Sequence, residues 1–261
     1  MSSRFRVAMG GVSEPIGESL IELARHQPQV RLVALTLGEI EMPRGSRMEV
    51  FIADADRWSR VMKAMRPKVF IVGLGPALNL AGRDDSPLRA IEDEEAVVEI
   101  AKTARFAGVE RLIAISAEGA DRWSRDRHLS AKGKAEAELA RLGFKRLDII
   151  RPGPLVEKTS PDGGKLARLG ALRGRGTDVQ TVAEAIMTLS LRRTPGKFTH
   201  EEDGIERAAA MLSRAPTGRQ ATGAGADATG EDTGDADLLE IESIRNVLIV
   251  TPTAVVDELD R

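Results

Sequence analysis

The sequence contains neither cysteine nor tyrosine. The first absence excludes disulfides, zinc-thiolate sites and cysteine nucleophiles. The second removes the phenol as a proton donor from every position of the chain. Aromatic residues make up only 3% of the sequence, so the core is expected to be aliphatic, and no stacking array for nucleic acid is present. The three histidines, His26, His128 and His200, are far apart and do not have the spacing of a metal site. No run of about 18 apolar residues occurs, and the first residues lack the apolar stretch of a signal peptide. The expectation is a soluble cytoplasmic protein without a membrane segment.

With 261 residues, 42% of them hydrophobic and 30% charged, the chain has the balance of a globular protein of one full domain plus an appendage. A domain of this size buries roughly 70 to 75% of its unfolded surface, so neither metal nor disulfide is needed to complete the fold. The net charge of -2 is unevenly spread: residues 215–261 carry 3 basic and 10 acidic side chains, leaving a mildly basic body. Such asymmetry marks either a solvated tail or a tail that docks on its body or on a partner.

Along residues 1–155, short apolar runs alternate with helical segments, the order of a parallel sheet covered on both faces. Strands are predicted at 4–10, 30–37, 48–53, 68–75, 111–116 and 146–150. Helices are predicted at 16–26, after Ser13 and Pro15, and at 87–107, 129–142 and about 179–192, the last of the body. Right-handed crossovers between six strands make a doubly wound α/β sheet of the Rossmann type, with residues 163–214 as a small C-terminal extension. The predicted domain therefore spans 1–214. Residues 215–237 contain six alanines, five glycines and no large apolar side chain, the composition of a flexible acidic linker. Residues 238–261 are apolar again and are expected to act as a docking segment for a protein partner. Leu238, Ile241, Ile244 and Leu248 fit a helical face, while NVLIV equally fits a strand.

In a doubly wound sheet the ligand crevice lies at the carboxyl ends of the strands, beside the loop after the first. Here that loop runs from Gly10 and Gly11 through Ser13 to Gly17. Such a turn either admits a pyrophosphate to the free amides of the helix start or merely closes tightly. The basic cluster of Lys165, Arg168, Arg173, Arg175, Arg192 and Arg193 suits a solvated face, and Trp58 and Trp123 are expected to be packing anchors.

The order of motifs resembles the short-chain dehydrogenase/reductase superfamily, in its extended or atypical branch and nearest the Tat-interacting-protein-like oxidoreductases. The resemblance runs from about Phe5 to Leu212 and rests on IVGLG (71–75), RLIAISAEGAD (111–121), HLSAKGKAEAELARLGF (128–144) and LDIIRPGPL (147–155). It implies a dinucleotide, NAD or NADP, held by Gly11, Ser13 and Gly17, with Gly73, Gly75 and Asp54 near the adenosine and Pro152 and Gly153 under the nicotinamide. The acidic residue expected after strand two is missing; Glu39 would suit NAD, and Arg44 or Arg47 would suit NADP.

Two departures from the family pattern stand out. Glu14 takes the place of the middle glycine, and a carboxylate about 4 Å from a phosphate costs roughly 1 kcal/mol in water-like surroundings and about 4 at an effective dielectric of 20. In the catalytic pattern Ser116 and Lys132 match, but His128 stands where the family has its tyrosine. Imidazole titrates near pH 6.5 and can donate from either nitrogen, yet it is shorter than a phenol. The expectation is a degenerate dinucleotide-binding protein with weak or lost redox activity, a sensor, assembly factor or scaffold. The alternative is an active reductase or epimerase-like enzyme using Ser116, His128 and Lys132. By analogy, a homodimer would form through segments 87–107 and 129–142.

Overall fold

The computed structural model describes residues 5–40, 48–53, 57–75, 93–156, 176–214 and 249–250. Its first half runs β1 (Phe5–Gly10), α1 (Glu14–Arg25), β2 (Val30–Thr36), β3 (Met48–Ile52), α2 (Trp58–Met65), β4 (Val69–Gly73) and α3 (Glu94–Phe106). Then follow β5 (Arg111–Ile115), α4 (Arg127–Leu139), β6 (Arg146–Ile150), the short β7 (Leu155–Val156) and β8 (Thr177–Asp178), α5 (Val179–Leu191), β9 (Gly196–His200) and α6 (Glu202–Arg214). Seven strands pair in parallel in the order β3-β2-β1-β4-β5-β6-β9, and β10 (Ile249–Val250) extends the sheet beside β3. The order reverses between β1 and β4, so the crevice of a Rossmann sheet opens at their carboxyl ends.

Both faces of the sheet are buried, which is why its strands read as unbroken apolar runs. Successive side chains point to opposite faces. Val7, Met9, Val69 and Ile71 accordingly join a core with α1, α5 and α6, while Ala8, Phe70 and Val72 join the other core with α2, α3 and α4. The helix starts are fixed by carboxylates: Asp93 accepts the Glu95 amide at 2.8 Å, and Asp126 accepts those of His128 and Leu129.

The predicted strands and helices recur within a few residues, except that position 4 of the first strand and positions 87–92 of the predicted helix 87–107 lie outside the described residues. The body does not end at α5, however. β9 and α6 complete the sheet and its outer layer, where an extension beyond the sixth strand was expected. The segment Gly196–His200 gave no strand signal because it is largely exposed, with Phe198 its one large apolar residue. Pairing carries it instead. Arg146 grips Asp148 through Nε at 2.6 Å and Nη2 at 2.7 Å, His200 Nε2 meets the same carboxylate at 2.8 Å, and Arg146 lies over the Phe198 ring. Trp58 is a packing anchor, buried against Gly10 with Nε1 donating to the Ala53 carbonyl at 2.9 Å. Trp123 is not; it is 78% exposed, with its ring under the Arg122 guanidinium at 5.0 Å. Residues 215–237, expected as a linker, and residues 238–261 apart from β10 lie outside the described residues.

Candidate nucleotide cleft

The loop after β1 turns sharply at Gly11, whose φ of +65° lies where a side chain is strained. It packs on the end of β4: the Gly73 amide donates to the Gly11 carbonyl at 3.3 Å, and a Cβ on Gly73 would lie 2.7 Å from that oxygen. Ser13 then precedes the helix in N-cap position without capping it. Gly17 is buried inside α1, where its amide donates to the Ser13 carbonyl at 2.9 Å. Glu14 forms the first helical position and is half-buried.

Strand β5 delivers Ser116 to the same place, its amide bonded to the Ile150 carbonyl at 2.7 Å. From the other side come Pro152 and Gly153, the latter tied down by Thr177 Oγ1 at 2.9 Å. Helix α4 brings Lys132, 3% exposed, whose Nζ donates to the Leu74 carbonyl. Ser13, Gly73, Gly75, Ser116, Lys132, Pro152 and Gly153 thus line one narrow cleft of about 380 Å³ including its mouth, with Ile16, Ile115, Ala117 and Leu155 as its apolar wall. His128 is exposed and is not part of that wall. Asp54 lies outside the described residues.

Burial pushes the Lys132 amine below its ordinary value, and the carboxylates of Glu94 and Glu136 partly offset this. Glu136, one helical turn beyond Lys132, is held by Arg151 through Nε at 3.0 Å and Nη2 at 2.5 Å. That pair raises the guanidinium above its usual value. Glu136 was readable from its i+4 spacing to Lys132. Glu94 was not, since 38 residues separate it from Lys132 in the sequence.

Whether these residues suit a dinucleotide is tested by two hydroxyls. Ser13 Oγ and Ser116 Oγ are both buried at the cleft without a hydrogen-bond partner among the described residues. An unsatisfied buried hydroxyl is costly unless a ligand completes it. With the close Gly11 and Gly73 backbones, the residues fit a phosphate and ribose chain.

A parallel sheet of this order, with a glycine turn at its switch point, defines a nucleotide-binding Rossmann protein. The family described as NAD(P)H-binding matches residues 11–191, and the chain belongs to that family. The expected Rossmann fold and an NAD or NADP cofactor both stand. Among curated proteins the chain is similar to "Protein FMP52, mitochondrial" of Saccharomyces cerevisiae, 28% identical over 169 residues that cover 61% of this chain and 72% of the relative. The Emericella nidulans protein of the same name is 28% identical over 54% of this chain and 58% of its own length, so the chain spans less than two thirds of that relative. Two solved structures share the fold. A Bacillus halodurans protein described as an NAD-dependent epimerase/dehydratase has a TM-score of 0.55 at 21% identity, covering 79% of this chain and 99% of that one. The Thermus thermophilus UDP-glucose 4-epimerase complex with NAD has a TM-score of 0.52 at 17% identity, covering 81% and 83%.

The expectation of a cytoplasmic protein is corrected by these relatives, which are named as mitochondrial proteins. The reason is that composition and apolar patterning carry no address for a particular compartment. No helix among the described residues is long and apolar enough to cross a membrane.

Proposed function

We propose that the cleft binds NAD or NADP and that the chain transfers hydride to carbonyl compounds weakly or not at all, serving as a dinucleotide-dependent sensor or scaffold. The observation that carries this is the contrast within α4: Lys132 is on the cleft wall, while His128, at the phenol's position, is exposed and off it. A bound dinucleotide supplies a hydride donor or acceptor at its nicotinamide ring. The chain's own part is to bind and orient. Gly11, Gly73 and the amides at the start of α1 take the phosphates, Lys132 takes a ribose hydroxyl, and Ser116 Oγ holds a carbonyl oxygen. Among the described residues of the cleft wall, no imidazole or phenol stands beside Ser116.

A working reductase is the second reading, favoured by Ser116 and Lys132 lining the same cleft. Titration calorimetry with NADH and NADPH, followed by a carbonyl-reduction assay on the same protein, separates the two. Binding with little turnover is expected. Rapid turnover would establish the reductase, and absence of binding to either dinucleotide would remove both readings.

A further inference from the structure

Glu94 opens α3 and had no place in the site suggested by the sequence. It is half-buried, and its carboxylate reaches back over the end of β4: a Cβ built on Gly75 would lie 2.8 Å from Glu94 Oε1 and 3.3 Å from Lys132 Nζ. Two groups of opposite charge, carried by different helices, therefore stand over one glycine of the cleft. Gly75 has φ +69° and cannot readily be any other residue, so the backbone leaves that spot open to both side chains.

The other carboxylate near Lys132 is already committed, since both oxygens of Glu136 are bonded by Arg151. Glu94 is not itself part of the cleft wall; its carboxylate lies against Gly75, which is, and the residue also borders the groove between α3 and α4. An ammonium offers only donors and a carboxylate only acceptors. Placed side by side they complement a vicinal diol, whose hydroxyls each donate and accept, and both bonds are charge-assisted.

We propose that Glu94 is a ligand-binding residue of this cleft, gripping together with Lys132 the vicinal diol of the dinucleotide ribose farther from the adenine. The inference rests on the reading of the cleft as a dinucleotide site.

The test compares the full chain with Glu94→Ala and Glu94→Gln by titration calorimetry against two probes, ADP-ribose and ADP. The first carries the distal ribose and the second lacks it. Glu94→Ala is expected to weaken ADP-ribose about tenfold, the scale of one charge-assisted hydrogen bond, and to leave ADP unchanged. Glu94→Gln keeps an acceptor oxygen and should lose less. Circular dichroism melts confirm that the variants fold. Equal losses for both probes, no loss for either, or tighter ADP-ribose binding by Glu94→Ala would each overturn the assignment while leaving the cleft a dinucleotide site. If the unaltered chain binds neither ADP-ribose nor NAD, the reading of the cleft falls and this inference with it.

Discussion

Gly73 and Gly11 meet backbone against backbone, with an amide-to-carbonyl bond of 3.3 Å and no room for a methyl group between them. This contact welds the turn after β1 to the end of β4 and sets the width of the cleft. Gly73→Ala must push the turn outward, since a Cβ would lie 2.7 Å from the Gly11 oxygen. Overpacking of this kind costs about 1 to 3 kcal/mol. The expected outcome is a lower denaturation midpoint in urea together with weaker dinucleotide binding by calorimetry. An unchanged affinity would show that the turn does not shape the site.

Lys132 gives the stability of the protein a defined pH dependence. Its folded-state pKa lies below the unfolded value because burial disfavours the charged form. Between the folded value and the unfolded value near 10.4, the unfolded chain holds the proton that the folded chain has released, so stability rises with pH through that window. Below it both states are protonated, and the cost of the buried charge is fully present. Lys132→Met removes this titration. Urea unfolding of both proteins at neutral and alkaline pH should show the unaltered chain gaining stability relative to the variant as pH rises, and a constant difference would contradict the assigned burial of charge.

Asp148 is the hub of the last strand pairing, accepting two bonds from Arg146 and one contact from His200 while only 1% exposed. Removing one partner of a buried pair strands the other charge and costs about 3 to 5 kcal/mol. Asp148→Ala should show a loss of that order by urea unfolding. A loss below about 1 kcal/mol, the range of exposed pairs, would mean that the pair does not hold β9.

The two tryptophans show what composition can and cannot say. Both were expected to be packing anchors, but only Trp58 fills a slot, under Gly10 and against the end of β3. Trp123 sits among Arg122, Arg125 and Asp126 in a loop, a charged setting that argues for exposure more strongly than the residue type argues for burial. Trp58→Ala is expected to cost about 3 to 5 kcal/mol, whereas Trp123→Ala should stay within about 0.5. Equal losses in urea unfolding would remove the distinction.

The inner six strands were legible for the same reason that Trp58 is buried. A strand covered on both faces must be apolar throughout, and that pattern survives in sequence. The edge strand β9 needs only one paired side, so GKFTH reads as loop until its partners Arg146 and Asp148 are seen in space. The site divides the same way. Ser116, Lys132, Pro152 and Gly153 sit at fixed offsets from strand ends and could be read in order. Glu94 is brought to Gly75 by the packing of α3 on α4, a contact between distant segments that no local spacing encodes.

The position of His128 supplies the sharpest functional prediction. It lies one helical turn before Lys132 on α4, its amide capped by Asp126 at 2.8 Å, and its side chain is exposed. Nothing in the helix prevents a longer side chain there, because the capping bond uses the backbone alone. A phenol is longer than an imidazole by about 1 to 2 Å, and misplacement on the order of 1 Å can cost a hundredfold in rate. His128→Tyr is therefore expected to raise carbonyl turnover about a hundredfold, the lower range for a positioned proton donor. Dinucleotide affinity should change little, since the cleft wall is untouched. His128→Phe, with the same ring but no hydroxyl, controls for packing. Faster turnover in His128→Tyr than in His128→Phe would show that proton transfer limits the unaltered chain. Equal rates would show that a proton donor at this position does not limit turnover, with Glu14 at the turn after β1 as the next residue to replace.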